Sequence, residues 1–199
     1  MGWAKLGDEV GRQILHKLFN RPHTLKAHLT GDWKFYYHRV GRYWLKAYTF
    51  LPTYLKADGR PGRSSTLCEL TAENADIGKV LVGVINSSLF FWYWTLYSDD
   101  FDLMVNEIEN FPFTFDAGYH FIYRKIGQAV DALMQDYADK SVLKRGVYPT
   151  GTITWQEFYP RQSKAIIDQI DDLLGALYGL TREEVTYIKQ YDSEFRSDE

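Results

Sequence analysis

The sequence predicts an α+β protein, with a small aromatic-rich sheet, antiparallel or mixed, framed by long helices and followed by a helical C-terminus. Apolar residues recur at helical spacing over residues 8–19, 119–137 and 163–178. Residues 33–38 instead alternate with a period of two, which is typical of a strand. Because helical and strand patterns occur in separate runs, the α+β class is favoured.

The first seventy residues contain the predicted sheet. A helix over residues 8–19 precedes a short helix over residues 24–29. A loop rich in glycine, proline and arginine is predicted over residues 57–65. Strands are expected over residues 33–38, 43–50 and 66–70.

The rest of the chain is mainly helical. One long buried helix is predicted over residues 75–97, and a hairpin over residues 146–159 with its turn at Thr150 and Gly151. Gly179 is a predicted C-cap. Residues 181–184 form a capping-box pattern that opens a final helix to about residue 191.

Composition restricts the class of protein. The 45% hydrophobic and 25% charged residues are typical of a soluble globular domain. The single cysteine, Cys68, excludes an internal disulfide framework, favours a cytoplasmic location and is predicted to be a small buried residue. Five scattered histidines give no zinc-ligand spacing.

Residues 1–20 are charged and amphipathic, unlike a signal peptide. Residues 80–98 lack charges but contain polar groups, so a buried core helix is expected and no membrane partner.

Charge is divided unevenly along the chain. Residues 1–66 contain 12 Lys/Arg and 4 Asp/Glu, whereas residues 67–199 contain 11 and 22. A basic N-terminal third suggests a surface that faces a polyanion, and the acidic remainder would face solvent or a partner subunit.

Three segments, in this order, carry a resemblance to a known family. Residues 36–44 (YYHRVGRYW) are rich in aromatic residues and arginine, and they close on GRYW. Residues 86–113 begin NSSLFFWYW and close on IENFPF. Residues 163–196 contain the series IDQIDD, YGLT and EE, followed by YD and FR. Together they resemble the C-terminal target-recognition region of type II and type IIG restriction–modification adenine-N6 DNA methyltransferases.

The resemblance implies a chain that recognises double-stranded DNA and directs a catalytic methyltransferase domain or subunit. The family's glycine-containing S-adenosylmethionine loop and its Asn/Asp-Pro-Pro-Tyr/Phe tetrapeptide are both missing from this sequence. No cofactor is therefore expected in this chain, and S-adenosylmethionine is implied only for the absent catalytic domain. The chain would be a detached subunit, a truncated gene product or a fragment of a larger enzyme.

The predicted DNA-binding residues lie in the basic third. Arginine and lysine side chains would contact phosphates and guanine, because the guanidinium fork donates two parallel hydrogen bonds. Aromatic side chains could stack on an extruded base, although about half of a strand's side chains face the core. The alternative for the cations is an ordinary solvated face. The predicted residues are Lys34, Tyr36, Arg39, Arg42, Tyr43, Trp44, Lys46, Arg60, Arg63, Ser64 and Ser65.

The remaining polar clusters have simpler interpretations. Residues 86–88 are expected to hydrogen-bond to backbone or sheet side chains, since buried polar groups need partners, and the alternative is a polar patch that reaches the DNA groove. Two aspartate clusters, Asp99/Asp100/Asp102 and Asp168/Asp171/Asp172, are interpreted as solvated or capping carboxylates, with no metal site.

Three segments make up the predicted organisation of the chain. They are a helical lead-in (1–31), a recognition core (32–160) and a C-terminal helical hairpin (161–199). One alternative function is protein–protein docking through the acidic C-terminal helices. A hydrolase with a cryptic carboxylate site has no supporting motif.

Overall fold

The aromatic alternation that begins at Trp33 forms the central strand of an antiparallel sheet. This computed structural model describes residues 8–41, 44–98, 101–149, 151–191 and 193. Phe35 and Tyr37 are buried, at 0% and 3% exposure, while Lys34 is exposed, as the period of two predicts. The first sheet has the order β2-β1-β4, with β1 (Trp33–His38), β2 (Ala47–Tyr48) and β4 (Leu67–Ala72).

The predicted strand over residues 43–50 is wrong in length, because only Ala47 and Tyr48 pair with β1. On the other side of β2, a side chain takes the place of a further strand. Asn86 Oδ1 accepts a hydrogen bond from the Ala47 amide at 3.2 Å, and Asn86 Nδ2 donates to the Ala47 carbonyl at 2.9 Å. Tyr137 Oη also donates to Asn86 Oδ1, at 3.1 Å. This confirms the expected backbone partner for Asn86.

A second antiparallel sheet contains the predicted hairpin. Tyr148 pairs with Gly151 where the two strands of the hairpin meet, and Gly151 has a φ of 113°, a left-handed conformation that glycine adopts without strain. Thr150, the other predicted turn residue, lies outside the described residues. The order is β3-β6-β5, with β3 (Tyr54–Leu55), β5 (Val142–Tyr148) and β6 (Gly151–Glu157).

The single helix predicted over residues 75–97 is wrong. The segment forms α2 (Ala75–Asn86) and α3 (Ser88–Tyr97), which are bent by 62° at Ser87. Ser87 adopts an extended conformation, and its hydroxyl accepts a hydrogen bond from the Phe90 amide at 3.0 Å. A serine that caps a new helix competes with helix continuation, and the uniformly apolar sequence hides this break. No single helix in the described part of the chain is long and apolar enough to cross a membrane.

The other helices largely follow their predicted positions. Gly179 ends α6 in a left-handed conformation, with a φ of 66°. Thr181 and Glu184 form the predicted capping box, in which each side chain accepts from the other residue's amide. The short helix α4 was not predicted. The helices are α1 (Glu9–Phe19), α4 (Val105–Glu109), α5 (His120–Lys140), α6 (Lys164–Tyr178) and α7 (Arg182–Gln190), with a 3₁₀ turn at Leu25–His28.

Helices α2 and α3 form the centre of the hydrophobic core. Trp92 and Trp94 of α3 are 0% and 1% exposed. Helices α5 and α6 pack against α2, and α1 packs against α7. The core is continuous from α1 to α7, so it includes residues of all three predicted segments. The α+β class with a helical C-terminus is confirmed, with two sheets in place of one.

Candidate nucleic-acid interface

A cleft of about 550 Å³ lies between the two sheets. His38 and Tyr48 of the first sheet line one side, and Trp155 and Glu157 of β6 line the other. A volume of this size falls in the range of about 300–1,000 Å³ that small-molecule sites occupy. The cleft therefore brings together side chains that are more than one hundred positions apart in the sequence.

His38 is a neutral imidazole at physiological pH. Burial, followed by the positive charge of Lys46, lowers the pKa of His38 to about 4, and Glu157 opposes this effect. The His38 ring meets the Tyr48 ring edge-on, with centroids 5.7 Å apart. A neutral imidazole offers one hydrogen-bond donor and one acceptor, so His38 can bind polar groups of either kind.

Tyr48 carries an unpartnered hydroxyl at the base of the cleft. The side chain is 0% exposed, and its ring packs against Phe158 and Tyr137, with centroids 4.7 and 6.1 Å away. Its hydroxyl has no hydrogen-bond partner among the residues that the structure describes. Burial raises the pKa of Tyr48 well above its ordinary value, so the hydroxyl keeps its proton.

The opposite wall is aromatic. Trp155 Nε1 donates to Glu157 Oε2 at 2.7 Å, which fixes the orientation of the indole. Tyr54 of β3 pairs with Trp155 across the second sheet, and Tyr148 lies near the hairpin turn. A Cβ at Gly146 would lie 2.9 Å from the Tyr148 ring and 3.0 Å from the Trp155 ring. Glycine at this position therefore lets both rings approach the strand backbone.

Two of the predicted cations share one carboxylate at the edge of the first sheet. Lys34 Nζ lies 2.8 Å from Glu69 Oε1, and Arg63 NH1 lies 3.2 Å from Glu69 Oε2. Hydrogen bonding to Lys34 lowers the pKa of Glu69, and the same contact raises the pKa of Lys34. All three side chains are at least partly exposed, so solvent screens both pairs and each adds little to stability.

The other two predicted arginines that the structure describes also have carboxylate partners. Arg39 Nε lies 3.1 Å from Asp102 Oδ2, and Arg60 Nε lies 3.2 Å from Asp58 Oδ2 of its own loop. Arg60 is 81% exposed, which makes its pair readily exchangeable with solvent or with another anion. Four of the predicted cations, Lys34, Arg39, Arg60 and Arg63, therefore lie on the surface but are paired.

The structure brings together only part of the predicted site. Lys46, Ser64 and Ser65 line the cleft, and Ser64 Oγ lies 2.9 Å from Thr66 Oγ1. Tyr36 is half-buried against the core. Trp44 corrects the prediction, because it is 3% exposed and packs in the core instead of offering a ring for stacking. Arg42 and Tyr43 lie outside the described residues.

The chemically richest part of the cleft was not predicted from the sequence. The strand pattern assigns no role to Tyr48, and residues 146–159 are predicted only as a small hairpin. Ile153, Trp155 and Glu157 occupy alternate positions of β6 and line the cleft, and Gln156 lines it as well. That period of two is visible in the sequence, but nothing in it indicates which surface the hairpin packs against.

The aspartate clusters have structural partners where they are described. Asp171 of α6 is 3% exposed and accepts a hydrogen bond from the Leu89 amide of α3 at 3.2 Å, so it caps a neighbouring helix. Burial raises the pKa of Asp171 to about 6. Asp168 pairs with Lys164, and Asp172 pairs with Lys189. No group of three or more His, Cys, Asp or Glu side chains in the described residues could hold a metal ion.

The remaining predictions concern the other aspartate cluster and the cysteine. Asp99 and Asp100 lie outside the described residues, whereas Asp102 is the ion-pair partner of Arg39. Cys68 is half-buried against the core, so the predicted full burial is wrong.

Similarity to known proteins gives no independent guide to this cleft. No family model, curated protein or solved structure matches the chain.

Proposed function

We propose that this chain is a sequence-specific DNA-recognition domain of the restriction–modification adenine-N6 methyltransferase kind. One observation carries the proposal most directly. Lys46, Ser64 and Ser65 line an aromatic, polar cleft, and Arg60 and Arg63 lie on the loop that leads to the two serines. Cations that contact phosphates position a protein on DNA, while polar and aromatic groups beside them contact bases.

The hairpin of the second sheet supports the same proposal. Every residue of β5 except Gly146 is exposed, and the strand carries Lys144 and Arg145. A two-stranded ribbon fits the major groove of B-form DNA. The ribbon and the basic loop lie on opposite sides of one cleft, so both could contact the same duplex.

The reaction itself would belong to a partner. A catalytic methyltransferase domain or subunit would bind S-adenosylmethionine and extrude the target adenine from the stack, as base-modifying enzymes do. This chain would supply the register on DNA, and the assembly would work in the cytoplasm. The ion pairs of Glu69 and Asp58 fit such a surface, because a phosphate can replace a carboxylate at little cost when the pair is exposed.

Fluorescence anisotropy of a labelled mixed-sequence duplex, titrated at several salt concentrations, tests DNA binding. The variant Arg60→Ala/Arg63→Ala should bind more weakly. It should also lower the slope of log affinity against log salt by about 0.9 for each phosphate that the variant no longer neutralises. Arg124→Ala/Lys125→Ala is the matched control, because it removes the same charge from α5 and should leave the slope unchanged. Equal effects of the two variants, or no binding at low salt, would contradict the proposal.

Docking of a protein through the acidic C-terminal helices remains the alternative. Ile188 of α7 and Leu174 of α6 are 1% and 0% exposed, so the apolar faces of these helices are already buried within the chain. A partner protein would have to bind their polar sides. Such binding, without any salt-dependent DNA binding, is the result that would favour this alternative.

A further inference from the structure

We propose that the cleft between the two sheets binds one unpaired nucleobase, stacked on Trp155 and hydrogen-bonded by Tyr48. The inference rests on the proposed function for its source of bases, a DNA strand. It adds a specific pocket and a ligand class to the basic surface. The geometry points to a planar, heteroaromatic ligand because rings and hydrogen-bonding groups converge on the same space.

The stacking surface is fixed in place. The Trp155 indole is oriented by its hydrogen bond to Glu157, and Tyr54 and Tyr148 line the cleft beside it. Stacking of a base on an aromatic side chain is sequence-tolerant, since every base has a π-face. A rigid ring loses little conformational freedom when a base binds.

Two hydrogen-bonding residues of the first sheet line the cleft: Tyr48, which is buried, and His38, which is half-buried. Tyr48 Oη has no partner among the described residues, and it is closed to bulk water. Because this hydroxyl has no accessible surface, a ligand acceptor can bond to it only after a small shift of the Tyr48 ring opens it to the cleft, and the bond then satisfies a group whose burial without a partner is costly. His38, a neutral donor and acceptor, lies edge-on to the same ring. Nucleobase edges present both kinds of group.

The rim suits the sugar and phosphate attached to a base. Lys46, Ser64 and Ser65 line the cleft and offer a cation and two hydroxyls. Glu157, on the opposite wall, is held by Trp155. A neutral sugar would not pair with the charge of Lys46, and a lipid chain could not hydrogen-bond to the Tyr48 hydroxyl or the His38 imidazole. The combined chemistry therefore favours a nucleotide unit over either of these ligands.

Tyr48→Phe is the decisive variant, because it removes the unpartnered hydroxyl and keeps the ring. Its thermal midpoint should be no lower than that of the wild type, since no internal hydrogen bond is removed. The matched control is Tyr137→Phe, whose hydroxyl donates to Asn86. The control should lower the thermal midpoint and leave ligand affinity within about twofold, since Tyr137 is not among the cleft-lining side chains.

Three probes separate the sources of the base. They are 2-aminopurine deoxyriboside monophosphate, a short duplex with one unpaired 2-aminopurine, and the same duplex fully paired. Binding in the cleft should quench the fluorescence of 2-aminopurine in the first two probes. Tyr48→Phe should weaken both by about tenfold, the equivalent of one hydrogen bond, and leave the paired duplex unchanged.

Each outcome decides between the two proposals. If the mononucleotide binds in a Tyr48-dependent way but neither duplex binds, the nucleobase pocket stands and the DNA-recognition proposal fails. If the paired duplex binds while neither base probe responds to Tyr48→Phe, DNA recognition stands and the pocket is overturned. Absence of all binding overturns both.

Discussion

The side chain of Asn86 should contribute more to stability than any single apolar contact of the first sheet. It bonds both backbone groups of Ala47 and accepts from the Tyr137 hydroxyl. Leucine has the same branching and the same number of side-chain heavy atoms, so most of the expected cost arises from lost hydrogen bonds, and its larger methyl groups add a smaller packing cost. Because Ala47 and Tyr137 are 0% and 2% exposed, water cannot replace the missing partner.

The expected cost follows from counting orphaned groups. Asn86→Leu leaves the Ala47 amide, the Ala47 carbonyl and the Tyr137 hydroxyl without this partner, and each buried orphan costs about 1–3 kcal/mol. We expect a total decrease of about 4 kcal/mol in the free energy of unfolding, because a buried hydrogen-bond network is broken. Tyr137→Phe removes the bond to Asn86 and should cost about 1 kcal/mol.

The double variant gives the sharper result. In the Asn86→Leu background, Tyr137→Phe deletes a hydroxyl whose bond to Asn86 is already lost, so its cost should become smaller than in the wild-type background. Guanidinium unfolding followed by circular dichroism, with all four proteins compared at similar m-values, measures this coupling. A decrease below about 1 kcal/mol for Asn86→Leu, or the same cost for Tyr137→Phe in both backgrounds, would refute the reasoning.

Three further predictions concern charge, pH and packing. Glu69→Gln should tighten duplex binding by about two- to fivefold at low salt, because the carboxylate that holds two cations is removed. Asp171→Asn should gain stability over the wild type as pH rises from about 4 to 6, by about 3 kcal/mol in total. The sign follows from the raised pKa: the protonated carboxyl fits the fold, and this contribution is lost as pH rises through the folded value. Gly83→Ala should cost about 1–3 kcal/mol, since its Cβ would lie 2.8 Å from Ile126 Cγ2.

Each of these has a contrary result. For Glu69→Gln, duplex binding measured by fluorescence anisotropy that is unchanged or weaker would contradict the prediction. Urea unfolding measures the free energy of unfolding of the wild type and of Asp171→Asn at several pH values. The opposite contribution of His38 is present in both proteins, so it cancels in the difference between them. A difference that does not change with pH would contradict a raised pKa for Asp171. For Gly83→Ala, an unchanged thermal midpoint would show that the contact with Ile126 relaxes freely.

Features set by neighbouring residues were predictable from the sequence. The C-cap at Gly179 and the capping box at Thr181 need only a few adjacent positions, and both are confirmed. The alternating burial along β1 and the presence of the hairpin also depend on adjacent residues, so both could be predicted from the sequence. The break at Ser87 was not, because residues on both sides of it are buried all round and give no periodic signal.

Features that depend on tertiary pairing escaped prediction. The short β2 is completed by Asn86, which lies 39 positions away in the sequence. The shared partner of Lys34 and Arg63 depends on the register of β4 against β1, in which Glu69 faces Tyr36. The cleft exists only because the hairpin packs beside the first sheet. The sequence separation of Tyr48 and Trp155 therefore could not indicate that both side chains line one cleft.

Selection from a library of randomised duplexes tests the central claim of sequence-specific recognition most directly. The chain is used to retain duplexes at low salt through several rounds, and the retained pool is sequenced. The account predicts enrichment of a common short sequence, which Arg60→Ala/Arg63→Ala retains with poorer recovery. A pool that stays random, whether or not DNA is retained, would contradict sequence-specific recognition by this chain.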